Sequence, residues 1–434
     1  MSSATTTRHR RARQRSEPAQ PSQPRQAAPA APRLRAKTGN IVGGLQVQTL
    51  VLIEVAAALV LVGWAIHPMA LAVGGAIAAV LVVFALGRRR KVPLPEWVKT
   101  VRAMKRRGAR AEPVPPGVDA AIGPLLECEP ALRTYEYLDR NDDANQRAVG
   151  FVGDGTFLTA LVRVEARDQP LRPAPGTRPL PLRLLHSALV VDDIELESVQ
   201  YVQYTQPAPA PHLPEQAVAA RSYAPLQAQT QTPATQLTWV ALKLDPELCP
   251  EAVEARGSGL GGAQRALLRA ADQLASTLSG NGFRARVLDE RELISSLGVA
   301  LCVNPRVNTS GDGRTRRTQE TPRAWRCDDR WHTTYWIGSW PQLGPGGTPL
   351  AGVAALLSNT RVMASSFSLT LSRNGSAMVG LSGYVRLAAR SENELNAARR
   401  ELERRAGSVK VGLVRLDREQ QPGLLATLPL GGTR

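Results

Sequence analysis

Two long apolar stretches near the N-terminus constrain this chain more than any other feature of its sequence. Leu50 to Ile66 is apolar except at Glu54, and after His67-Pro68 the eighteen residues from Met69 to Leu86 carry no charge. At about 1.5 Å per helical residue, eighteen residues span roughly 27 Å, close to the hydrocarbon thickness of a bilayer. A signal peptide would have a shorter apolar core and no second stretch directly behind it. We therefore expect a transmembrane helical hairpin over residues 41–87, with spans at about 45–66 and 69–86.

The basic residues of the chain are concentrated beside these stretches. Residues 1–44 hold nine Lys and Arg against one acid, and residues 87–112 hold ten against two. Because Glu54 lies between them and the whole chain has a formal charge of +17, residues 113–434 carry only +2. Nucleic-acid binding, the first expectation for so basic a chain, is therefore disfavoured for the large domain. Basic flanks stay on the cytoplasmic side of a membrane, so both termini are expected in the cytoplasm.

The two basic flanks differ in expected structure. Residues 1–40 are rich in Arg, Pro, Gln and Ala and have little to bury, so a disordered tail is expected. Within residues 88–112, apolar side chains recur at helical spacing among basic residues, at Trp97, Val101 and Met104. This pattern predicts a juxtamembrane amphipathic helix that lies on the cytoplasmic headgroups. Packing of that helix on the soluble domain is the alternative.

Small residues are frequent in both apolar stretches. Small side chains let two helix backbones approach closely in lipid, so Ala56, Ala57 and Ala58 are expected to face the glycines and alanines of the second span. Glu54 is the exception, because an acid inside a membrane is energetically costly. It either pairs with a polar group of a partner helix or lies near the cytoplasmic headgroups in a partly hydrated form.

Residues 113–434 are predicted to form a cytosolic α+β domain. Strand and helix patterns alternate without a regular βαβ rhythm, which favours a mixed sheet with helices on one or both faces. Long loops are expected at about 206–236, rich in Pro, Ala and Gln, and at about 304–323, which is polar. The predicted strands are 148–152, 156–164, 196–205, 238–244, 283–288, 332–339, 366–373, 376–387 and 411–416, and the predicted helices are 262–278, 290–297 and 392–405.

A glycine motif is the most suggestive chemical signal. Gly257, Gly259 and Gly262 match GxGxxG directly before a predicted helix, an arrangement that presents backbone N–H groups to phosphate in dinucleotide-binding proteins. However, about twelve residues separate the motif from the preceding strand, and the acid expected about 20 residues further on is missing. A turn before a helix is the favoured interpretation. The chain has no GxxxxGK[ST] motif, which excludes a P-loop ATPase.

Other reactive side chains are scattered. Cys327 and His332 are close in sequence, but a zinc site there would need at least one further ligand. Four of the seven tryptophans fall within residues 325–340, where core packing is favoured over a partner-binding surface. We therefore predict no catalytic, cofactor-binding or metal-ligating residues. The cysteines have no CxxC spacing and are expected to be reduced thiols: Cys128, Cys249, Cys302 and Cys327.

One run of residues resembles a known family. The run is Trp239-Val240-Ala241-Leu242-Lys243-Leu244-Asp245-Pro246, followed by Ala252, Arg256-Gly257-Ser258-Gly259 and Gly262-Ala263. It resembles the EccE family, which belongs to the actinobacterial type VII (ESX-type) secretion machinery. The basic tail, the double apolar span and the strand at Ser366–Leu371 fit the family too. Lys243, where Arg is expected, and Ser258 depart from it at positions without a catalytic role.

The resemblance implies a structural, non-catalytic subunit of an inner-membrane secretion complex, alongside the EccB, EccC and EccD components. Energy would come from the partner ATPase EccC, which agrees with the lack of a P-loop. The implied partners are these components and the lipid bilayer, without nucleic acid and without a cofactor. The competing function is a membrane-tethered transferase that binds a nucleotide-linked substrate through the Gly257–Gly262 loop.

Overall fold

The structure is a computed structural model of the chain. It describes residues 47–86, 88–89, 92–114, 117–139, 146–166, 180–206, 216–230, 235–304, 316–343, 348–374 and 378–432. The tail predicted over residues 1–40 lies outside the described residues, and so do parts of both predicted loops.

The described helices and strands are numbered along the chain. The helices are α1 Val47–Ile66, α2 Pro68–Leu86, α3 Leu94–Arg110, α4 Gly123–Cys128, α5 Leu182–Ser187, α6 Val218–Thr230, α7 Pro250–Ala255, α8 Gly259–Gly280, α9 Glu290–Leu301, α10 Leu350–Ser358, α11 Glu392–Ser408 and α12 Gln420–Thr427. The strands are β1 Arg88–Arg89, β2 Val92–Pro93, β3 Arg133–Asp139, β4 Arg147–Gly153, β5 Leu158–Ala166, β6 Val190–Val191, β7 Ile194–Glu195, β8 Ser198–Gln206, β9 Thr235–Leu244, β10 Phe283–Val287, β11 Thr318–Glu320, β12 Trp325–Cys327, β13 Arg330–Ser339, β14 Ala364–Asn374, β15 Met378–Ala389 and β16 Gly412–Arg415.

Helices α1 and α2 are apolar, contact each other and are separated only by His67. Small residues make this contact: Ala56 and Ala78 are buried, and a Cβ at Gly74 would lie 2.9 Å from the Leu59 carbonyl oxygen. Ala57 and Ala58, also predicted to face the second helix, are exposed, and Ala57 lines an open groove together with Gly75 and Ala79 of α2. Counting only residues that the structure describes, no helix is long and apolar enough to cross a membrane.

The large domain is built on one twelve-stranded sheet. The strand order is β11-β12-β13-β15-β14-β8-β9-β5-β4-β3, with β10 beside β5 and β16 beside β13. The predicted α+β class is confirmed. Every strand pair described is antiparallel, so the sheet does not mix strand directions as expected. The reason is that, within each half, connections are either hairpins or crossovers that skip one strand, whereas α9 links β10 of the first half to β11 of the second.

The sheet contains the same arrangement twice. In the first half, β5, β8, β9 and β10 lie in the order β10-β5-β9-β8, and in the second half β13, β14, β15 and β16 lie in the order β16-β13-β15-β14. Each half is a β-α-β-β-α-β unit of the split βαβ type. Each is also preceded by two strands that extend the sheet and followed by one helix, α9 or α12. The domain is therefore an internal structural duplication.

The two halves join through their equivalent strands β8 and β14. These strands run antiparallel, with Val202 opposite Ser368 and Gln203 opposite Phe367. In each half this strand also pairs with the strand that follows it, β8 with β9 and β14 with β15, again antiparallel. The seam between the halves is thus a continuous part of one sheet.

Helices cover both faces of this sheet. The alternating side chains of a strand point to opposite faces, so β9 places Val240 and Leu242 under α8 and places Trp239 and Ala241 on the other side. The first face carries α5, α7 and α8 over one half and α10 and α11 over the other. The second face carries α4, α9 and α12.

The loop predictions need two corrections. Strand β11, Thr318–Glu320, lies inside the segment predicted as a loop at 304–323, where it pairs with β12. Residues 218–230, inside the segment predicted as a loop at 206–236, form α6. Alanine and glutamine are good helix formers, and this propensity prevails although Pro225 lies within the helix. Strands β11 and β12 and helices α4, α5, α10 and α12 have no counterpart among the predicted elements, because each is too short to show a clear periodicity.

Candidate functional site

The glycine motif forms the turn between α7 and α8. Gly257 and Gly259 have φ values of +100° and +59°, conformations that glycine adopts without strain. A Cβ at Gly262 would lie 2.4 Å from the Val253 carbonyl oxygen. These glycines therefore reverse the chain and let α7 and α8 pack closely.

Arginine side chains fill the space around this turn. The Nε of Arg265 donates to the Arg256 carbonyl oxygen at 2.5 Å, and a Cβ at Gly257 would lie 2.3 Å from the Arg265 Nη2. Arg256 forms a two-point ion pair with Asp193, at 2.7 and 2.8 Å, which lowers the pKa of that carboxyl. These contacts account for the motif through packing, and nothing in them supports a phosphate site.

Cys327 and His332 do not form a site together. The Cys327 thiol lies 3.7 Å from an oxygen of Asp328, whereas the His332 ring packs against Trp325 with ring centroids 5.1 Å apart. Within the described ranges, no group of three or more His, Cys, Asp or Glu residues is placed to hold a metal ion. All four cysteines are buried free thiols, and burial raises the pKa of Cys128 to about 12.

The tryptophans of residues 325–340 mostly serve the core. Trp325 is 1% exposed, and Trp336 and Trp340 are partly buried against apolar clusters. A Cβ at Gly383 would lie 2.5 Å from the Trp340 ring. Trp331 is stacked beneath the guanidinium of Arg326, 5.5 Å from the ring centroid. The structure therefore supports the core-packing interpretation.

Arg386 is a buried charge at the centre of the domain. Its side chain has no carboxylate partner among the described residues; its Nε donates to Thr427 Oγ1 at 2.8 Å, and its Nη2 donates to Ser366 Oγ at 3.0 Å and to the Ala300 carbonyl oxygen. Ala300 and Thr427 belong to the last turns of α9 and α12, the equivalent helices of the two halves. Helix C-termini carry partial negative charge, so these two ends stabilise the guanidinium. Burial lowers its pKa to about 10, and it stays charged at neutral pH.

His332 completes the contacts of Arg386. Its Nδ1 lies 3.1 Å from Arg386 Nη1, and because a guanidinium only donates, Nδ1 accepts and the ring proton is on Nε2. Burial, together with the charges of Arg386 and Arg330, holds the pKa of His332 well below its ordinary value. The neutral imidazole and the charged guanidinium therefore form one polar centre, which we call the Arg386 centre. The available sequence signal was an arginine inside the apolar strand run around Val385 and Leu387.

Helix α3 packs on the large domain. Arg107 donates through Nε and Nη2 to the two carboxylate oxygens of Glu320, both at 3.0 Å, and Nη2 also donates to the Arg418 carbonyl oxygen at 2.6 Å. The Glu320 side chain is only 3% exposed. The guanidinium of Arg418 lies over the Trp97 ring, 5.4 Å from its centroid. The apolar side of α3 therefore packs on the domain. This agrees with the alternative interpretation of the sequence and not with the predicted packing of that side on lipid headgroups.

The hairpin of α1 and α2 has an apolar outer surface. A groove of about 490 Å³ between the helices is lined by small and branched side chains, among them Ala57, Val60, Gly75 and Ala79. Glu54, two turns into α1, is exposed and bonds to no described residue. The large apolar side chains exposed on the hairpin are Val51, Val55, Val60, Leu61, Val62, Trp64, Ile66, Met69, Val73, Ile77, Val80 and Val83.

These features describe a chain with an apolar hairpin surface and no assembled reaction centre among its described residues. A comparison with known protein families finds a match over one segment of the chain. Residues 232–337 match a family of type VII secretion components. The family is described as "Putative type VII ESX secretion system translocon, EccE". The match runs from β9 into β13, across the boundary between the two halves, and it confirms the resemblance to EccE over this segment. No curated protein compared with the chain matches it.

Proposed function

We propose that this chain is a non-catalytic, membrane-anchored subunit of a type VII secretion complex and that it acts by assembly with the other membrane components. The match to EccE supports the secretion class. The observation that carries the membrane anchor is the hairpin itself, whose exposed surface is apolar along both helices. Monomeric soluble proteins rarely expose a contiguous apolar surface of this kind.

The dimensions of the hairpin support insertion into a bilayer. Helices α1 and α2 have 20 and 19 residues. At about 1.5 Å per residue they are roughly 28–30 Å long. Because no described helix is by itself long and apolar enough to cross a membrane, the proposal rests on the paired helices, whose shared apolar outer surface lipid would cover. With basic residues beyond both ends and none at the His67 turn, the proposed topology places both termini in the cytoplasm. Residues 41–87 would then form the anchor and residues 113–434 the cytosolic domain.

The assembly role has two proposed contact regions. In the membrane, the groove beside Ala57 and Gly75 fits the close approach of another helix, and Glu54 offers a polar contact. In the cytosol, the nearly neutral domain would offer the second contact surface, connected to the hairpin through α3. Other secretion components, including the EccB, EccC and EccD subunits that the family resemblance implies, are the proposed partners.

A non-catalytic role is supported by what fills the candidate sites. The Gly257–Gly262 turn is closed by Arg265 and by the packing of α7 on α8, so the competing transferase function finds no support there. Affinity purification of the tagged full chain in mild detergent tests the proposal. We expect the other secretion components to co-purify in fixed ratio, with no nucleotide hydrolysis by the isolated chain. Isolation of the chain alone, with hydrolysis that stops when Gly262 is changed, would overturn it.

A further inference from the structure

Helix α3 has a cationic face opposite the face that packs on the domain. At 100° per residue, Arg102, Arg106 and Arg110 lie on one stripe, with Lys105 beside it. All four are exposed, whereas Trp97 on the opposite side is partly buried. We call these four residues the α3 cationic stripe.

The stripe forms no ion pair with the domain, although the charge of Arg110 lies near enough to Glu129 to oppose the rise in pKa that burial causes in that carboxyl. Arg102, Lys105, Arg106 and Arg110 form no ion pair with a described residue, whereas Arg107, which lies beside the stripe, is paired with Glu320. The docking of α3 through Arg107 and Trp97 fixes the helix, so the four charges are presented together. A fixed set of charges binds a complementary surface with little loss of conformational entropy.

The position of α3 indicates what that surface is. The helix begins eight residues after the end of α2 and contacts α2. If the hairpin is inserted as proposed above, the stripe lies at the level of the lipid headgroups. Guanidinium groups bind phosphate through paired hydrogen bonds, and an anionic leaflet attracts basic residues within about one Debye length.

We infer that the α3 cationic stripe binds anionic phospholipid headgroups of the membrane that holds the hairpin, so that α3 is clamped between the bilayer and the domain. This inference rests on the proposed membrane anchor. It reverses the orientation expected from the sequence: the charged side of α3 faces the lipid, and the apolar side faces the protein.

The six lysines of the chain allow a direct test. The full chain is reconstituted into vesicles of phosphatidylcholine alone or with phosphatidylglycerol, and acylation of Lys105 is followed by mass spectrometry. Lys410, exposed beyond the end of α11, reports general changes in reagent access. We expect Lys105 to react several-fold more slowly in the anionic vesicles at low salt and to recover at about 1 M salt, where the Debye length is about 3 Å. The reactivity of Lys410 should not change.

A pair of charge variants makes the test specific. Each basic residue near an anionic leaflet strengthens association about fivefold, so Arg102→Gln with Arg106→Gln should weaken it about 25-fold and restore Lys105 reactivity. The matched control, Arg291→Gln with Arg400→Gln, removes the same charge from exposed positions on α9 and α11 and should leave Lys105 protected.

The possible outcomes test lipid binding by the α3 cationic stripe separately from membrane insertion of the hairpin. Insertion of the chain into both kinds of vesicle, with equal Lys105 reactivity in each, would overturn lipid binding by the stripe and leave the anchor standing. Failure of the chain to insert into either vesicle would overturn the anchor, and the inference with it. Protection of Lys105 that appears only when another secretion subunit is added would assign the stripe to a protein partner instead.

Discussion

Arg107 and Glu320, 213 positions apart in the sequence, form a two-point ion pair at the edge of the sheet. The same carboxylate accepts the backbone N–H of Gln421, in the first turn of α12, at 3.0 Å. One buried acid thus joins α3, strand β11 and α12, the helix that reaches the Arg386 centre. The hairpin and the core of the domain are linked through these few atoms.

Removal of Arg107 tests this link. Arg107→Ala leaves the buried Glu320 carboxylate without its cation, and breaking a buried pair in this way lowers the free energy of unfolding by about 3 kcal/mol. Arg106→Ala, an exposed neighbour, should change it by less than about 0.5 kcal/mol. Denaturant unfolding of the purified full chain measures both. Equal stabilities of the two variants would show that α3 is not docked as described.

The pH dependence of stability contains two opposing contributions. His332 has a pKa held well below 6.5 in the folded state, so the unfolded state binds more protons and stability from this group falls as pH drops below 6.5. Burial, and then the charge of Asp154, raise the pKa of Glu129 from 4.5 to about 7, so its contribution falls as pH rises from about 4.5 to 7. Between about pH 4.5 and 6.5 the two slopes have opposite sign and partly cancel.

Single substitutions should separate the two slopes. Glu129→Gln removes the falling contribution, so stability should rise with pH up to about 6.5, by at most about 1.4 kcal/mol per pH unit. His332→Asn keeps an acceptor for Arg386 but removes the titration, so stability should fall with rising pH over the same range. Melting temperatures of both variants, measured from about pH 4.5 to 6.5, test these slopes. Melting temperatures that change with pH in the same direction in both variants would contradict the roles assigned to Glu129 and His332.

Substitutions at two adjacent glycines distinguish a packing role of the α7–α8 turn from a ligand-binding role. Gly262→Ala places a methyl group 2.4 Å from the Val253 carbonyl oxygen and should cost about 2 kcal/mol of stability. Gly261→Ala meets only the far end of Arg265, at 3.6 Å, and should be neutral or slightly stabilising. Thermal unfolding with and without nucleotide measures both effects. A nucleotide-dependent rise in melting temperature that Gly262→Ala abolishes would revive the transferase function.

The elements with clear periodicity were predictable and the architecture was not. The strand at Thr238–Leu244 and the helix at Glu392–Arg405 were recognisable because their apolar positions repeat at the period of strand or helix. The duplication was not, because equivalent strands such as β5 and β13 share only a burial pattern, with Leu, Ala and Val in one where Trp, His and Thr stand in the other.

The contacts of the candidate site were likewise not predictable from local sequence patterns. An apolar stripe on α3 fits a membrane and a protein surface equally well, and only the position of Glu320 in the fold decides between them. The contacts of Arg386 join it to residues 20 to 86 positions away in the sequence, which no local pattern connects. The hairpin, by contrast, was evident at once because its signal is entirely local.

The proposed topology predicts which residues can be labelled from outside the cell. The four native cysteines are buried, so they give little background. A membrane-impermeant maleimide should label His67→Cys in intact cells and should reach Ser3→Cys and Ser310→Cys only after lysis. Labelling of Ser310→Cys in intact cells would contradict the arrangement of the basic flanks.

The central claim is that the hairpin is an assembly surface as well as an anchor. Two contacts on one tether reinforce each other through effective concentration, so loss of the membrane contact should weaken association far more than its own area suggests. The most direct measurement replaces residues 45–86 with an unrelated hairpin of equal length and compares co-purification of the other secretion components. We predict that the swapped protein stays in the membrane but recovers much less of its partners than the native chain. Equal recovery would contradict the claim and place the assembly surface wholly in residues 113–434.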